Sequence, residues 1–133
     1  MTNLIEVTAA IIQDKGKILI ARRPIGDKLA GKWEFPGGKI EVGETPEECL
    51  RREIKEELNI KISVGHFFAE SIYEYPNRTI QLKAYWCTWL SGEIELNSHD
   101  AIEWVEFASL SDYDFAPADL LFVDKLRGDI HGL

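Results

Sequence analysis

The stretch from Gly37 to Ile60, GGKIEVGETPEECLRREIKEELNI, constrains this chain more than any other. A double glycine opens it and an acidic helix follows. Glu53, Glu56 and Glu57 stand three and four residues apart, which at 3.6 residues per turn sets all three on one side of a helix. Like charges so placed repel, and the simple physical reason to tolerate them is a divalent cation. Hard ions such as Mg2+ take carboxylate oxygens and keep waters or substrate phosphates in their other positions. The helix has defined ends. Thr45-Pro46-Glu47-Glu48 reads as a capping box, with Thr45 at the N-cap and Pro46 at the first helical position. Leu50, Ile54 and Leu58 form an apolar stripe, Arg51 and Lys55 fall on the far side, and Asn59 suits a left-handed C-terminal residue. The carboxylates border the stripe, so the site is expected at the edge of a packed core.

The 133 residues suffice for one domain spanning 1–133 and its core. The start, MTNLIEVTAAII, carries an acidic residue and no basic leader, and no apolar run approaches the roughly 20 residues of a membrane span. A net charge of −8 disfavours a polymeric nucleic acid as partner, since such a polyanion calls for a basic patch. A small phosphorylated ligand bridged by metal stays compatible. Cys49 and Cys87 form no metal-ligand pair and suggest a reducing compartment, so the expected location is cytoplasmic and the expected role of both is packing.

In chain order, Leu4 to Gln13 and Lys17 to Ala21 read as a β-hairpin turned by Asp14-Lys15-Gly16. Arg22-Arg23-Pro24 ends it, and one of these arginines either caps a solvated strand end or reaches a phosphate with its forked donors. Trp33 to Lys39, WEFPGGK, suggests a short strand running into a turn that exposes its backbone. After the helix, Lys61 to Glu74 and Thr79 to Leu90 make a long hairpin about Pro76-Asn77-Arg78. Of its aromatics, Tyr73, Tyr75, Tyr85, Trp86 and Trp89, most belong in the core, while Tyr75 and Arg78 flank the turn and could line a base pocket. Ile102 to Phe107 is a final strand, Ser109 to Pro117 a loop, and Ala118 to Leu126 a closing helix. The mixture predicts an α/β sandwich with a mixed sheet between helices.

The spacing Gly38-x5-Glu44-x7-Arg52-Glu53-Ile54-x-Glu56-Glu57-x-Asn59-Ile60 closely resembles the Nudix box, with asparagine at 59 where the family has glycine. WEFPGGK, YEYPNR and FAPADL extend the resemblance to the MutT-type branch over nearly the whole chain. That resemblance implies Mg2+-dependent hydrolysis of a nucleoside triphosphate to the monophosphate and pyrophosphate, Mn2+ being the other usable ion. It implies Glu53, Glu56 and Glu57 as metal ligands with a carbonyl of Gly37-Gly38, Glu53 as proton acceptor, and an Arg52–Glu44 charge pair steadying loop and helix. Arg23 and Lys39 would meet phosphates, and Asp119 would read the base, with Phe35 and Tyr75 stacking beside it. The partner is then a small nucleotide of CTP or oxidised 8-oxo-dGTP type, bound by a monomer or homodimer. Another nucleoside diphosphate derivative as substrate, or a catalytically silent nucleotide-binding module, are the alternatives.

Two positions depart or leave a choice. Many relatives carry a further glutamate six residues before a tryptophan, and counting back from Trp104 gives Ser98. Glu95, His99 or Asp100 could substitute, with Asp100 the best chemically, or the three form a solvated loop. Asp119 is either the base reader or a charge at a helix N-terminus. As a carboxylate it accepts hydrogen bonds but offers guanine O6 no donor unless protonated.

Overall fold

The computed structural model describes residues 3–131, with side chains as far as Gly128. Six strands and two α-helices follow in order: β1 (Asn3–Asp14), β2 (Lys17–Arg22), β3 (Trp33–Glu34), α1 (Pro46–Leu58), β4 (Lys61–Tyr75), β5 (Arg78–Ser91), β6 (Ala101–Glu106) and α2 (Leu120–His131). The sheet runs β3-β2-β1-β5-β4, with β6 on the free side of the path against β2. It is mixed: β1 lies parallel to β5 from Asn3 opposite Arg78 to Ile12 opposite Cys87, and the other ladders are antiparallel.

The central strands are apolar at consecutive positions because both faces of the sheet are covered. Ala9 and Ile11 pack with Ile18, Ile20 and Phe122, Val123 and Leu126 of α2. Ala10 and Ile12 pack on the other face with Leu19 and the Leu50, Ile54, Leu58 stripe of α1. This is the α/β sandwich that the sequence predicts. Tyr73 departs from the expected core placement and stands 39% exposed, whereas Trp86 packs edge-on to Phe68 and Trp89 stacks on Trp104. Of Ser109 to Pro117, expected as loop, the first four residues belong to a 3-10 turn at Phe107–Asp112, and a second one at Pro117–Asp119 leads into α2.

One feature of the first hairpin positions the site. Lys15 and Gly16 both take positive φ, the geometry of a tight two-residue turn, but β1 and β2 pair only at Gln13–Ile18 and Asp14–Lys17. Beyond that they diverge: β3 takes that edge of β2 at Ala21–Glu34 and Arg22–Trp33, while β6 fills the opposite edge from Lys17–Glu106 to Arg22–Ala101. The edge of β1 so released bonds to the chain after β3: Ala10 N donates to Pro36 O at 2.7 Å, Thr8 N to Gly38 O at 2.8 Å, and Ile40 N to Glu6 O at 3.0 Å. The glycine turn is thus bound into the sheet at the mouth of the split.

Candidate functional site

The helix below the turn has the ends its sequence specifies. Thr45 accepts from Glu48 N while the Glu48 side chain accepts from Thr45 N, and Asn59 is left-handed at φ 60°. The open carbonyls of its last turn are met by the loop before β6: Glu95 N bonds Leu58 O, Asn97 N bonds Glu57 O, and Asn97 Nδ2 bonds Glu56 O at 2.9 Å.

Both glycines are required by close approach rather than by positive φ. A Cβ on Gly37 would overlap the carbonyl oxygen of Thr8, and one on Gly38 would overlap the carboxyl group of Glu53. Gly38 therefore lets Glu53 lie directly against the turn. Arg52 organises what surrounds it. Its Nε and Nη2 grip the Glu44 carboxylate at 2.6 and 2.9 Å, Nη1 donates to Glu53 at 2.6 Å and more loosely to Glu56 at 3.3 Å, and Nη2 reaches Lys39 O at 3.3 Å. The hydrogen bonds from Arg52, with one from the Glu41 amide, hold the Glu44 carboxyl down to about 2. The thiol of Cys49 is buried beneath the turn, 3.4 Å from Gly38 O and 3.3 Å from the Thr8 hydroxyl.

Glu57 points into the cleft, and its Oε1 is buried with no partner. Burial first, then a hydrogen bond with Glu53 and the charges of Glu34 and Glu53, push its carboxyl up to about 9. Among the described residues no three His, Cys, Asp or Glu side chains form a ready-made metal cage. The chemistry nevertheless suits a hard divalent cation. Crowded carboxylates lack a positive partner on the cleft side, one oxygen is orphaned, and the donors are all oxygen. The side chains that could hold such an ion are Glu53 and Glu57, and the more exposed Glu56; the Gly38 carbonyl expected beside them is instead taken up by Thr8 N and Oγ1 at 2.8 and 3.1 Å, which leaves Gly37 as the turn's carbonyl for an ion.

The cleft has a volume of about 420 Å3. Its cations are Lys39 beside the turn, Arg78, and Arg23. Arg78 lies over the ring of Tyr75, 6.0 Å from its centroid. Arg23 is clamped by Asp27 through Nε and Nη2 at 2.9 and 3.0 Å and by Glu34 through Nη1 at 2.7 Å. Burial opposes its charge, but these two carboxylates outweigh that and raise its pKa further. At the far end Asp119 Oδ1 accepts from Phe35 N at 3.1 Å. Burial and then the charge of Glu34 push the Asp119 carboxyl well above the usual range. It sits in the 3-10 turn immediately before α2, and its carboxyl is bonded to the residue that follows β3.

Several expectations need correction. Phe35 lines the cleft, but its ring is 3% exposed, stacked on Phe115 and edge-on to Phe122, so it is packed as core, and its backbone N bonds Asp119. Asp100, the favoured substitute for the absent loop glutamate, pairs with Arg22 at 2.7 Å outside the cleft. Glu95 uses its amide to cap α1 and does not line the cleft either. His99 does line the cleft with Ser98, and it bonds Glu34 Oε2 through Nε2 at 2.8 Å. Glu34 itself went unnoticed in the sequence. The available signal was a carboxylate between Trp33 and Phe35, opposite a strand ending in two arginines, since a half-buried acid needs a cation.

The NUDIX domain family matches residues 2–126. The CTP pyrophosphohydrolase of Escherichia coli K12 is 41% identical over 117 residues, covering 88% of this chain and 87% of that protein. The 8-oxo-dGTP diphosphatase of the same organism is 36% identical over 124 residues, covering 92% and 96%. Among solved structures, the DNA mismatch repair protein MutT of methicillin-resistant Staphylococcus aureus 252 superposes with a TM-score of 0.78 at 37% identity, covering 97% of this chain and 99% of that one.

Proposed function

The chain belongs to the Nudix hydrolase family, and from that premise we propose that it cuts nucleoside triphosphates to the monophosphate and pyrophosphate with Mg2+ or Mn2+. The observation that carries this reading is the cleft that joins Glu57 and the glycine turn, with Glu53 directly against that turn, to Lys39, Arg23 and Arg78. Acidic groups alone would repel a triphosphate, and cations alone would bind it without activating water. A bound divalent ion supplies charge neutralisation for the phosphates and a lowered pKa for water. Glu53, Glu56, Glu57 and the carbonyl of Gly37 would hold it. Arg23, Lys39 and Arg78 bind and orient the phosphate chain, so that water attacks in line as the bond between α and β phosphates breaks. Glu53, set by Arg52 and the turn, accepts the water's proton, while the Arg52–Glu44 pair keeps turn and helix in register.

The base lies toward Tyr75 and Asp119. A buried Asp119 that keeps its proton offers a hydroxyl donor as well as an acceptor, so it can address guanine O6 or the acceptors of cytosine. Taken with the substrates named for its relatives, the substrate class is CTP-type or 8-oxoguanine triphosphate. The test is pyrophosphate release from a panel of normal and oxidised nucleotides with Mg2+, ranked by kcat/KM, with Glu53→Gln in parallel. Loss of about a hundredfold or more in the variant is expected for a group acting on the attacking water. Undiminished turnover by Glu53→Gln would remove it from the mechanism, and a preference for a nucleotide sugar or dinucleotide would overturn the substrate class.

A further inference from the structure

His99 and Glu34 lie outside the acidic helix, yet they form the wall that joins it to Arg23. Glu34 uses one oxygen for each neighbour: Oε1 accepts from Arg23 Nη1 at 2.7 Å, and Oε2 faces His99 Nε2 at 2.8 Å. Because Glu34 also receives Arg23, it is the acceptor in the second contact, and Nε2 carries the hydrogen. Arg23 has five N–H donors, and the two carboxylates engage three of them, Nε and one each on Nη1 and Nη2. Two remain for a ligand.

The imidazole is an expensive choice for mere packing. Its side chain is 4% exposed, and Nδ1 is buried with no partner. An apolar residue of similar size would fill the space without an orphaned nitrogen. What His99 alone supplies is the hydrogen bond to Glu34. Its loop is also fastened to α1, through Asn97 to the carbonyls of Glu56 and Glu57. The chain of contacts thus runs from the end of the acidic helix through Asn97 and His99 to Glu34, Arg23 and Asp27.

We propose that His99 is a positioning residue: by holding Glu34 it fixes the guanidinium of Arg23 in the cleft, in register with the acidic helix. This rests on the reading of Arg23 as a substrate-binding cation. Without His99, Oε2 of Glu34 loses its partner, the carboxylate is free to turn onto Arg23 with both oxygens, and one of the two donors left for the ligand is drawn away.

The experiment compares His99→Leu, which keeps bulk without a donor, with His99→Gln, whose amide can still donate to Glu34. Each is made in the full chain, alone and combined with Arg23→Ala, and kcat and KM are measured with Mg2+ on the best triphosphate, alongside Tm. His99→Leu is expected to raise KM about tenfold, the scale of one charge-assisted hydrogen bond, with kcat within about twofold. His99→Gln should stay within about threefold of the parent, and in the Arg23→Ala background His99→Leu should add less than about twofold. A full additive loss in that background, or a His99→Gln as impaired as His99→Leu, would overturn the proposal. An unchanged KM in Arg23→Ala itself would instead overturn the reading beneath it. Should His99→Leu not fold, Glu34→Gln carries the same test, because its amide has one oxygen where the carboxylate serves two partners; an unchanged KM there overturns the proposal.

Discussion

Gly37 and Gly38 are neighbours in one turn, and replacing each by alanine should break different things. A Cβ on Gly37 would overlap the Thr8 carbonyl oxygen and stand 2.7 Å from its carbon and 3.0 Å from Ala9 Cα. All are backbone atoms of β1, where Ala9 and Ala10 are fully buried. Only the turn can yield, and lifting it costs the bonds from Ala10 N to Pro36 O and from Thr8 N to Gly38 O. Leaving these two buried donors unmet amounts to roughly 2–6 kcal/mol, at about 1–3 kcal/mol for each unsatisfied group. That is a large part of the roughly 5–15 kcal/mol by which a domain is stable. On Gly38 the three atoms nearest the Cβ all belong to the Glu53 side chain, with Cγ at 2.7 Å. A side chain can swing aside for about 1 kcal/mol, but swinging takes the carboxylate from the turn and from Arg52 Nη1, which it now meets at 2.6 Å. A displacement near 1 Å in a reacting group costs on the order of a hundredfold in rate. Gly37→Ala should therefore lower the denaturant midpoint sharply, while Gly38→Ala folds nearly as well as the parent and loses about a hundredfold in kcat. Urea unfolding and Mg2+-dependent pyrophosphate release on both variants provide the check. A Gly38→Ala enzyme with parental kcat, or a Gly37→Ala protein with parental stability, would refute this account of the turn.

Other perturbations address the charges. Asp119→Asn keeps an acceptor for Phe35 N and should change the ratio of kcat/KM between CTP and 8-oxo-dGTP by about tenfold, more than it lowers the better of the two. Equal losses on all triphosphates would make Asp119 structural. Since its folded pKa is raised, the stability linked to its proton is complete below the ordinary value of 3.8 and is lost as pH rises toward the folded value. The Tm of Asp119→Asn relative to the parent should accordingly climb from pH 5 to pH 8, and a flat difference would contradict a buried acid. Glu44 behaves in the opposite sense. Held down to about 2, it contributes stability above its ordinary value of 4.5, lost as pH falls through about 2. The destabilisation of Glu44→Gln should be constant above pH 5 and shrink below pH 4 in acid unfolding, and a constant gap down to pH 2 would show the Arg52 pair to be unimportant.

Much of the acidic helix was legible because its information is local. A capping box, a proline at the first helical position, an asparagine at the end and a four-residue apolar stripe all act within one or two turns, and each is found where its spacing puts it. The pairing of Arg52 with Glu44 came instead from the resemblance to the family, since spacing alone does not choose one partner for an arginine among so many glutamates. The Phe35 ring misled because an aromatic before a glycine turn looks the same whether it faces a ligand or Phe115, 80 residues later. Asp100 and His99 are adjacent, and a one-residue change of phase decides which faces the cleft. That phase is set by Asp100 N bonding Arg22 O and by the ladder of β6 on β2, and no local rule contains either.

What the sequence by itself determined is the proposed reaction centre: a glycine turn and three glutamates at helical spacing, whose arrangement requires only near neighbours in the chain. What the tertiary structure alone decided is the rest of the cleft. The split between β1 and β2 admits the turn to the sheet edge, and Glu34, His99, Arg23 and Asp119 meet there from four separate segments. Their roles depend on burial and on long-range partners, which come into being only when both faces of the sheet are covered. The acidic helix needs its neighbours in sequence; the wall opposite it needs the whole fold.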